Sequence, residues 1–335
     1  MSILQKPYVP HSNFLAAINI VDDMRVGSRV LIVAGAVFLA VAPAGTDAQA
    51  KTRTGAVASA PAAVAATAAA HRLVLGLDGL VAHSPMTLTA TIRQLVTASG
   101  GSAGVTLVEL GGATPLVWGL NGGAVFTAAS TYKLAALMME AQGVAAGMID
   151  ANGLVCYQDS DYEDGWFDDY SDGACFTRLE LAQRAGLDSD NTAGHMLVRD
   201  LGGGDVLNAW AAAAGATDSV FFTDNTTTSN DLAALWTAEA KGSLGGSVAQ
   251  GWLYRLLTGT ATEAGIPSGV AGRSTVVHKT GEIDLVENDA ALVASGPNGA
   301  YILTVMTDNL GGDAGWQLIS SISSAVWSFE AARAS

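Results

Sequence analysis

Strand-like runs lie at both ends of the sequence with only helical periodicity between them, and this restricts the possible folds most. Residues 105–110 and 116–118 are rich in Val, Leu and Trp, with Gly111-Gly112 between them, and read as a hairpin. Residues 274–279, 291–294 and 300–306 have the same character. Between about 130 and 264 the apolar residues recur at helical spacing, as in Leu134, Leu137, Met138 and Ala141. One sheet drawn from both ends of the chain, with a helical lobe inserted, satisfies this order. The expected class is therefore α+β: an antiparallel five-stranded sheet with flanking helices and an inserted all-α lobe. Ser84 and Pro85 should start the first helix, which carries Leu88, Ile92, Leu95 and Val96 on one face, and Gly100-Gly101 should end it. Ile319, Ile322, Val326 and Phe329 give the last helix its apolar face. The groove between sheet and lobe is the expected place for a site.

Three short motifs fall where that groove would form. Ser130-Thr131-Tyr132-Lys133 opens an apolar helix, and residues three apart on a helix share a face. A serine hydroxyl needs a base to become a nucleophile, and a desolvated lysine is one. Ser189-Asp190-Asn191 follows, in a context that also fits a helix cap, and Lys279-Thr280-Gly281 ends a strand-like run. Residues 100–104 match Gly-x-Ser-x-Gly, but a strand follows where a nucleophile elbow needs a helix, so Ser102 is rejected as a nucleophile.

Ser-x-x-Lys, Ser-Asp-Asn and Lys-Thr-Gly in this order resemble the class A serine β-lactamases and penicillin-binding proteins. The resemblance extends from about Met86 to the C-terminus and includes the Thr-Thr-Thr at 226–228. It implies attack by Ser130 with Lys133 as base. It implies an oxyanion hole from the Ser130 and Glu282 N–H groups, and proton relay by Ser189 to the leaving nitrogen. Asn191 would hold the substrate amide, Lys279 and Thr280 its carboxylate, and Gly281 would let the acyl group lie close to the strand. Trp166 is a candidate rim residue, or else a hydrophobic anchor for its loop. No cofactor or metal is implied.

Two departures follow. Class A enzymes carry a glutamate between the second and third motifs that activates the deacylating water. Residues 201–237 hold no glutamate, and Asp218 and Asp224 are the acids near the right place. The arginine that often backs the carboxylate site is absent, and Asp289 falls near its position. The expectation is acylation of Ser130 by β-lactams with slow release. The alternatives are a peptidase or transpeptidase acting on D-Ala-D-Ala ends of a peptidoglycan stem peptide, and a non-turnover penicillin-binding sensor or decoy.

The remaining sequence bears on location and partners. The formal charge of −15 argues against a nucleic-acid partner. Residues 1–50 read as a signal peptide or membrane anchor: Arg25 and Arg29, an apolar run at 30–41, then Ala48-Gln49-Ala50. A secreted, periplasmic or envelope location is expected, with membrane contact only through an uncleaved leader. Residues 51–85 read as a linker and 86–335 as one catalytic domain. Its α/β part would comprise 86–127 and 265–335, and its helical lobe 128–264. A monomer is expected.

Cys156 and Cys175 flank seven acids and no base. A disulfide suits an exported chain. Two buried thiols or a calcium loop are the alternatives, although Asp164 stands where an EF-hand register needs glycine. His278 should face away from Lys279 on its strand, and His195, one turn beyond Asn191, should be packed. Five scattered histidines offer no metal pair.

Overall fold

Ser84 accepts a hydrogen bond from the Met86 N–H (3.2 Å) and starts helix α1 (Pro85–Ser99), which ends at Gly100 in the left-handed region (φ 80°). This is the first element of a computed structural model that describes residues 84–334 except Arg273. The expected leader and most of the expected linker lie outside the described residues.

Strands β1 (Ser102–Glu109), β2 (Val117–Leu120), β3 (Val276–Ile283), β4 (Val286–Gly296) and β5 (Gly299–Asp308) form one antiparallel sheet in the order β2-β1-β5-β4-β3. The first and last strands thus meet in the middle of the sheet, through the β1–β5 pairing. Alternation along these strands divides the two faces. Val105 opposite Val305 and Leu107 opposite Leu303 join the buried cluster that includes Ile92 of α1. Ile319, Ile322 and Val326 of the last helix, Asp313–Arg333, pack into the same cluster. Thr106 and Thr304, also directly opposed, meet the helical lobe instead. The Thr304 hydroxyl donates to the Ser229 carbonyl (2.8 Å), and Thr106 Oγ1 lies 2.9 Å from Ser229 Oγ.

The lobe surrounds α2 (Tyr132–Ala145), whose alanines allow neighbouring helices close and which is buried almost throughout. Around it lie α3 (Arg178–Leu187), α4 (Asn191–Asp200), α5 (Gly204–Ala213), α6 (Ser229–Ala240) and α7 (Gly246–Leu253). Two short strand pairs accompany these helices: Phe126–Thr127 with Thr226–Thr227, and Leu154–Cys156 with Cys175–Thr177. Segments of two or three residues are too short for periodicity to reveal, so the sequence reading of an all-α lobe omits them. The second pair carries the Cys156–Cys175 disulfide. Among the described residues no helix is long and apolar enough to cross a membrane.

Candidate active site

Ser130 sits in a single 3₁₀ turn (Ala129–Thr131) immediately before α2. That turn is tied down on two sides. The Ala128 N–H donates to the Asn225 carbonyl (2.7 Å), and Asn225 Nδ2 donates to the Ala129 carbonyl (3.1 Å). From the sheet, the buried Asn288 donates through Nδ2 to the Thr127 carbonyl (2.9 Å). Ala129 takes φ 47°, a conformation that costs non-glycine residues of order 1–3 kcal/mol and that these contacts hold in place.

One helical turn on, Lys133 places Nζ 2.9 Å from Ser130 Oγ. The amine also donates to the Ser189 carbonyl and to Asn191 Oδ1, both at 2.6 Å. Gly194 makes room for it, since a Cβ there would lie 2.8 Å from Lys133 Cε.

The second motif joins α3 to α4. Ser189 adopts φ 60°, which turns its carbonyl to Lys133 and its hydroxyl to Lys279, whose Nζ donates to Ser189 Oγ at 2.9 Å. Asp190 caps α4 by accepting from the Ala193 N–H (2.8 Å), and Asn191 is the first residue of that helix. The third motif lies on β3, the edge strand. The His278 N–H donates outward to the Leu257 carbonyl (2.8 Å), so the two-residue alternation of the strand points the Thr280 and Glu282 N–H groups to the same open edge. Gly281 runs directly against the nucleophile turn. A Cβ at this position would lie 2.7 Å from the Ala128 carbonyl oxygen and 3.1 Å from the Ser130 nitrogen.

Burial is the largest influence on both amines. It pulls Lys133 down to about 7, with the carboxylates of Asp190 and Glu163 opposing it. Lys279 is lowered well below the ordinary lysine value by burial and then by the nearby Lys133, against the pull of Asp289. At neutral pH a large share of Lys133 is a free amine in contact with a hydroxyl. That arrangement can deprotonate Ser130.

The profile of the beta-lactamase enzyme family matches residues 87–329. The chain belongs to the β-lactamase enzyme family. Among solved structures it is similar to PBP-A, at 26% identity over 72% of this chain and 94% of that one, with a TM-score of 0.67. It is equally similar to a PBP-A variant carrying penicillin G as an acyl-enzyme: 26% identity, 72% and 95% covered, TM-score 0.68. A β-lactamase from Sphaerobacter thermophilus DSM 20745 matches at 25% identity, covering 71% of this chain and 95% of that one, with a TM-score of 0.64. No curated protein matches. The chain is a serine hydrolase of β-lactamase fold.

In this member of the β-lactamase family the acidic loop between the cysteines lies over the start of α4. Asp190 holds it, accepting from the Tyr170 hydroxyl (2.7 Å) and the Trp166 N–H (3.1 Å). Its repulsion is offset by arginines from the helices beneath: Arg184 forks onto Asp169 and Arg199 onto Asp161. Trp166 itself is 72% exposed beside the site.

Glu163, from the same loop, accepts from Asn191 Nδ2 at 3.1 Å through Oε1, and its Oε2 lies 2.9 Å from His195 Nε2. The sequence reading counts Glu163 only as one acid among seven and treats His195 as packed. Asn191 and His195 at i and i+4 on α4 are the only pattern that hints at their neighbourhood. The loop after α5 brings Phe222 instead, at φ 71°, edge-on to Tyr132 and to His195 (ring centroids 5.7 and 5.0 Å).

His278 does face away from Lys279. It is fully buried under Thr280, with Nδ1 2.9 Å from Asp289 Oδ1 and Nε2 3.2 Å from Glu263 Oε1 and from Thr260 Oγ1. Asp289, opposite Thr280 in register, thus stands where the sequence reading sought an arginine, and its partner is an imidazole. Burial alone lowers His278, but the two carboxylates outweigh it and raise the group from 6.5 to about 9. A folded-state value above the unfolded one stabilises the protein fully below pH 6.5, and that contribution is lost as pH rises through about 9. At roughly 1.4 kcal/mol per unit the contribution is about 3 kcal/mol. The stability gap between wild type and His278→Gln, from urea unfolding, should therefore be larger at pH 6 than at pH 10 by about that amount. A gap constant with pH would mean His278 is neutral in the fold.

Proposed function

We propose that this chain is an exported, monomeric serine hydrolase of class A β-lactamase type, acylated by β-lactams at Ser130, that opens their amide bond with slow turnover. The observation that carries the reading is the 2.9 Å contact between Ser130 Oγ and a lysine amine whose pKa is lowered to about 7. Lys133 takes the hydroxyl proton as Oγ bonds to the lactam carbon. The Ser130 and Glu282 N–H groups hold the oxyanion. Ser189 passes its hydroxyl proton to the leaving nitrogen as the C–N bond breaks and takes one in return from Lys279 Nζ, which donates to it and is reprotonated from solvent. Asn191 holds the acyl amide, Lys279 and Thr280 take the carboxylate, and Gly281 brings the strand edge close. Trp166 forms the rim. Slow turnover follows from the absence of glutamate between residues 201 and 237.

A second reading, a peptidase or transpeptidase acting on D-Ala-D-Ala ends of a peptidoglycan stem peptide, uses the same acylation half-reaction. The three motifs, which resemble those of penicillin-binding proteins as much as those of class A β-lactamases, favour it. Intact-mass spectrometry with penicillin G tests the shared step. An adduct should form on the wild type and be absent from Ser130→Ala, and a wild type that takes no label refutes acylation. Nitrocefin turnover set beside release of D-alanine from a stem peptide then separates the two readings.

A further inference from the structure

An ester on Ser130 needs a base to activate water, and the loop that follows α5 holds Asp218 and Asp224 but no glutamate, and sets Phe222 edge-on to Tyr132. On the other side of Lys133, however, the acidic loop brings one in. Lys133 Nζ donates to Asn191 Oδ1 (2.6 Å), and the nitrogen of that same amide donates to Glu163 Oε1 (3.1 Å). One amide group therefore separates the Glu163 carboxylate from the amine that contacts Ser130 Oγ.

The position of Glu163 is fixed by several bonds. Its N–H donates to Thr192 Oγ1 (3.1 Å), the Thr192 hydroxyl donates to its carbonyl (2.8 Å), and His195 holds Oε2 at 2.9 Å. The second Asn191 amide hydrogen goes to the Asp164 carbonyl (3.1 Å). A substrate that took the Asn191 amide would displace Glu163 Oε1 and leave Oε2 on His195, so that one carboxylate oxygen could accept from water. The side chain is 51% exposed, so it exchanges protons with solvent.

We propose that Glu163 is the catalytic base of deacylation, reaching the ester from the loop before Ser189, and that His195 is its positioning residue. This rests on the reading that Ser130 is acylated. In the step, the water oxygen bonds to the acyl carbon as Glu163 takes its proton. The C–Oγ bond then breaks, and Oγ takes a proton from the Lys133 ammonium. Glu163 releases its proton to solvent. The net change is ester, water and the Lys133 ammonium to serine, carboxylic acid, the Lys133 amine and one proton in solvent, which leaves Lys133 ready for the next acylation.

The test is the lifetime of the penicillin G adduct after excess drug is removed, followed by intact-mass spectrometry. A general base contributes about 10²–10⁴-fold, so the Glu163→Gln adduct should outlive the wild-type adduct by about 10²-fold or more. Asp168→Asn, which removes an exposed charge from the same loop, should leave the lifetime unchanged. His195→Ala should lengthen it by a smaller factor, and the double variant Glu163→Gln/His195→Ala should be no slower than Glu163→Gln alone, because the histidine acts through the carboxylate. Thermal melting checks that each variant is folded. A Glu163→Gln adduct that decays at the wild-type rate overturns the proposal, and so does a wild-type adduct that never decays. A wild type that forms no adduct refutes the acylation reading itself, and this proposal with it.

Discussion

Lys133→Met is expected to slow acylation of Ser130 by penicillin about 10³-fold or more, while the protein still folds. Methionine keeps the length and apolar stem of the side chain but not the amine that lies 2.9 Å from Ser130 Oγ. The variant also leaves the part-buried Ser189 carbonyl and Asn191 Oδ1 without this donor, a destabilisation of at most about 1–3 kcal/mol for each. The protonation state of this amine also sets the pH profile of the wild type. Burial holds Lys133 at about 7, so roughly a tenth of it is the free amine at pH 6 and most of it at pH 8. The rate of adduct formation should therefore climb through pH 7 and level off above 8. Two results would remove Lys133 from the role of base: a profile flat from pH 5.5 to 8.5, or a methionine variant labelled as fast as the wild type.

The parts of this site that the sequence makes legible are those fixed by local geometry. Ser130 and Lys133 meet because one helical turn separates them, and the turn exists because an apolar, alanine-rich helix follows. His278 and Lys279 oppose each other because strands alternate. The five-stranded sheet is legible for the same reason, since each run shows its face by its own pattern. Contacts that tertiary structure alone creates are not legible. Ser189 to Lys279 spans 90 residues, and only the resemblance of the motifs to a known family places them together. Glu163 and His195 have no motif at all: the loop has no periodicity, and a count of acids sees excess charge. That count also hides the pairing of Asp161 with Arg199 and Asp169 with Arg184, which lets an acidic loop pack.

Gly281→Val should cost acylation about 10³-fold while most of the fold survives. The glycine is required by contact, not by its φ. A Cβ there would meet the Ala128 carbonyl oxygen at 2.7 Å, the Thr131 nitrogen at 3.0 Å and the Ser130 nitrogen at 3.1 Å, all backbone atoms that no rotamer change can move aside. Either the edge of β3 or the 3₁₀ turn must retreat, and Asn225 and Asn288 grip that turn from two sides. The strand edge therefore yields, carrying the Glu282 N–H away from the Ser130 N–H. Losing one oxyanion donor costs about 10²–10³-fold, and displacing substrate by about 1 Å adds up to about 10²-fold. The expected destabilisation is smaller, about 1–3 kcal/mol, as for other overpacked sites. Adduct formation with penicillin G and urea unfolding on the same preparation separate the two effects. A valine variant labelled at the wild-type rate would show that the close approach of β3 to Ser130 has no part in catalysis.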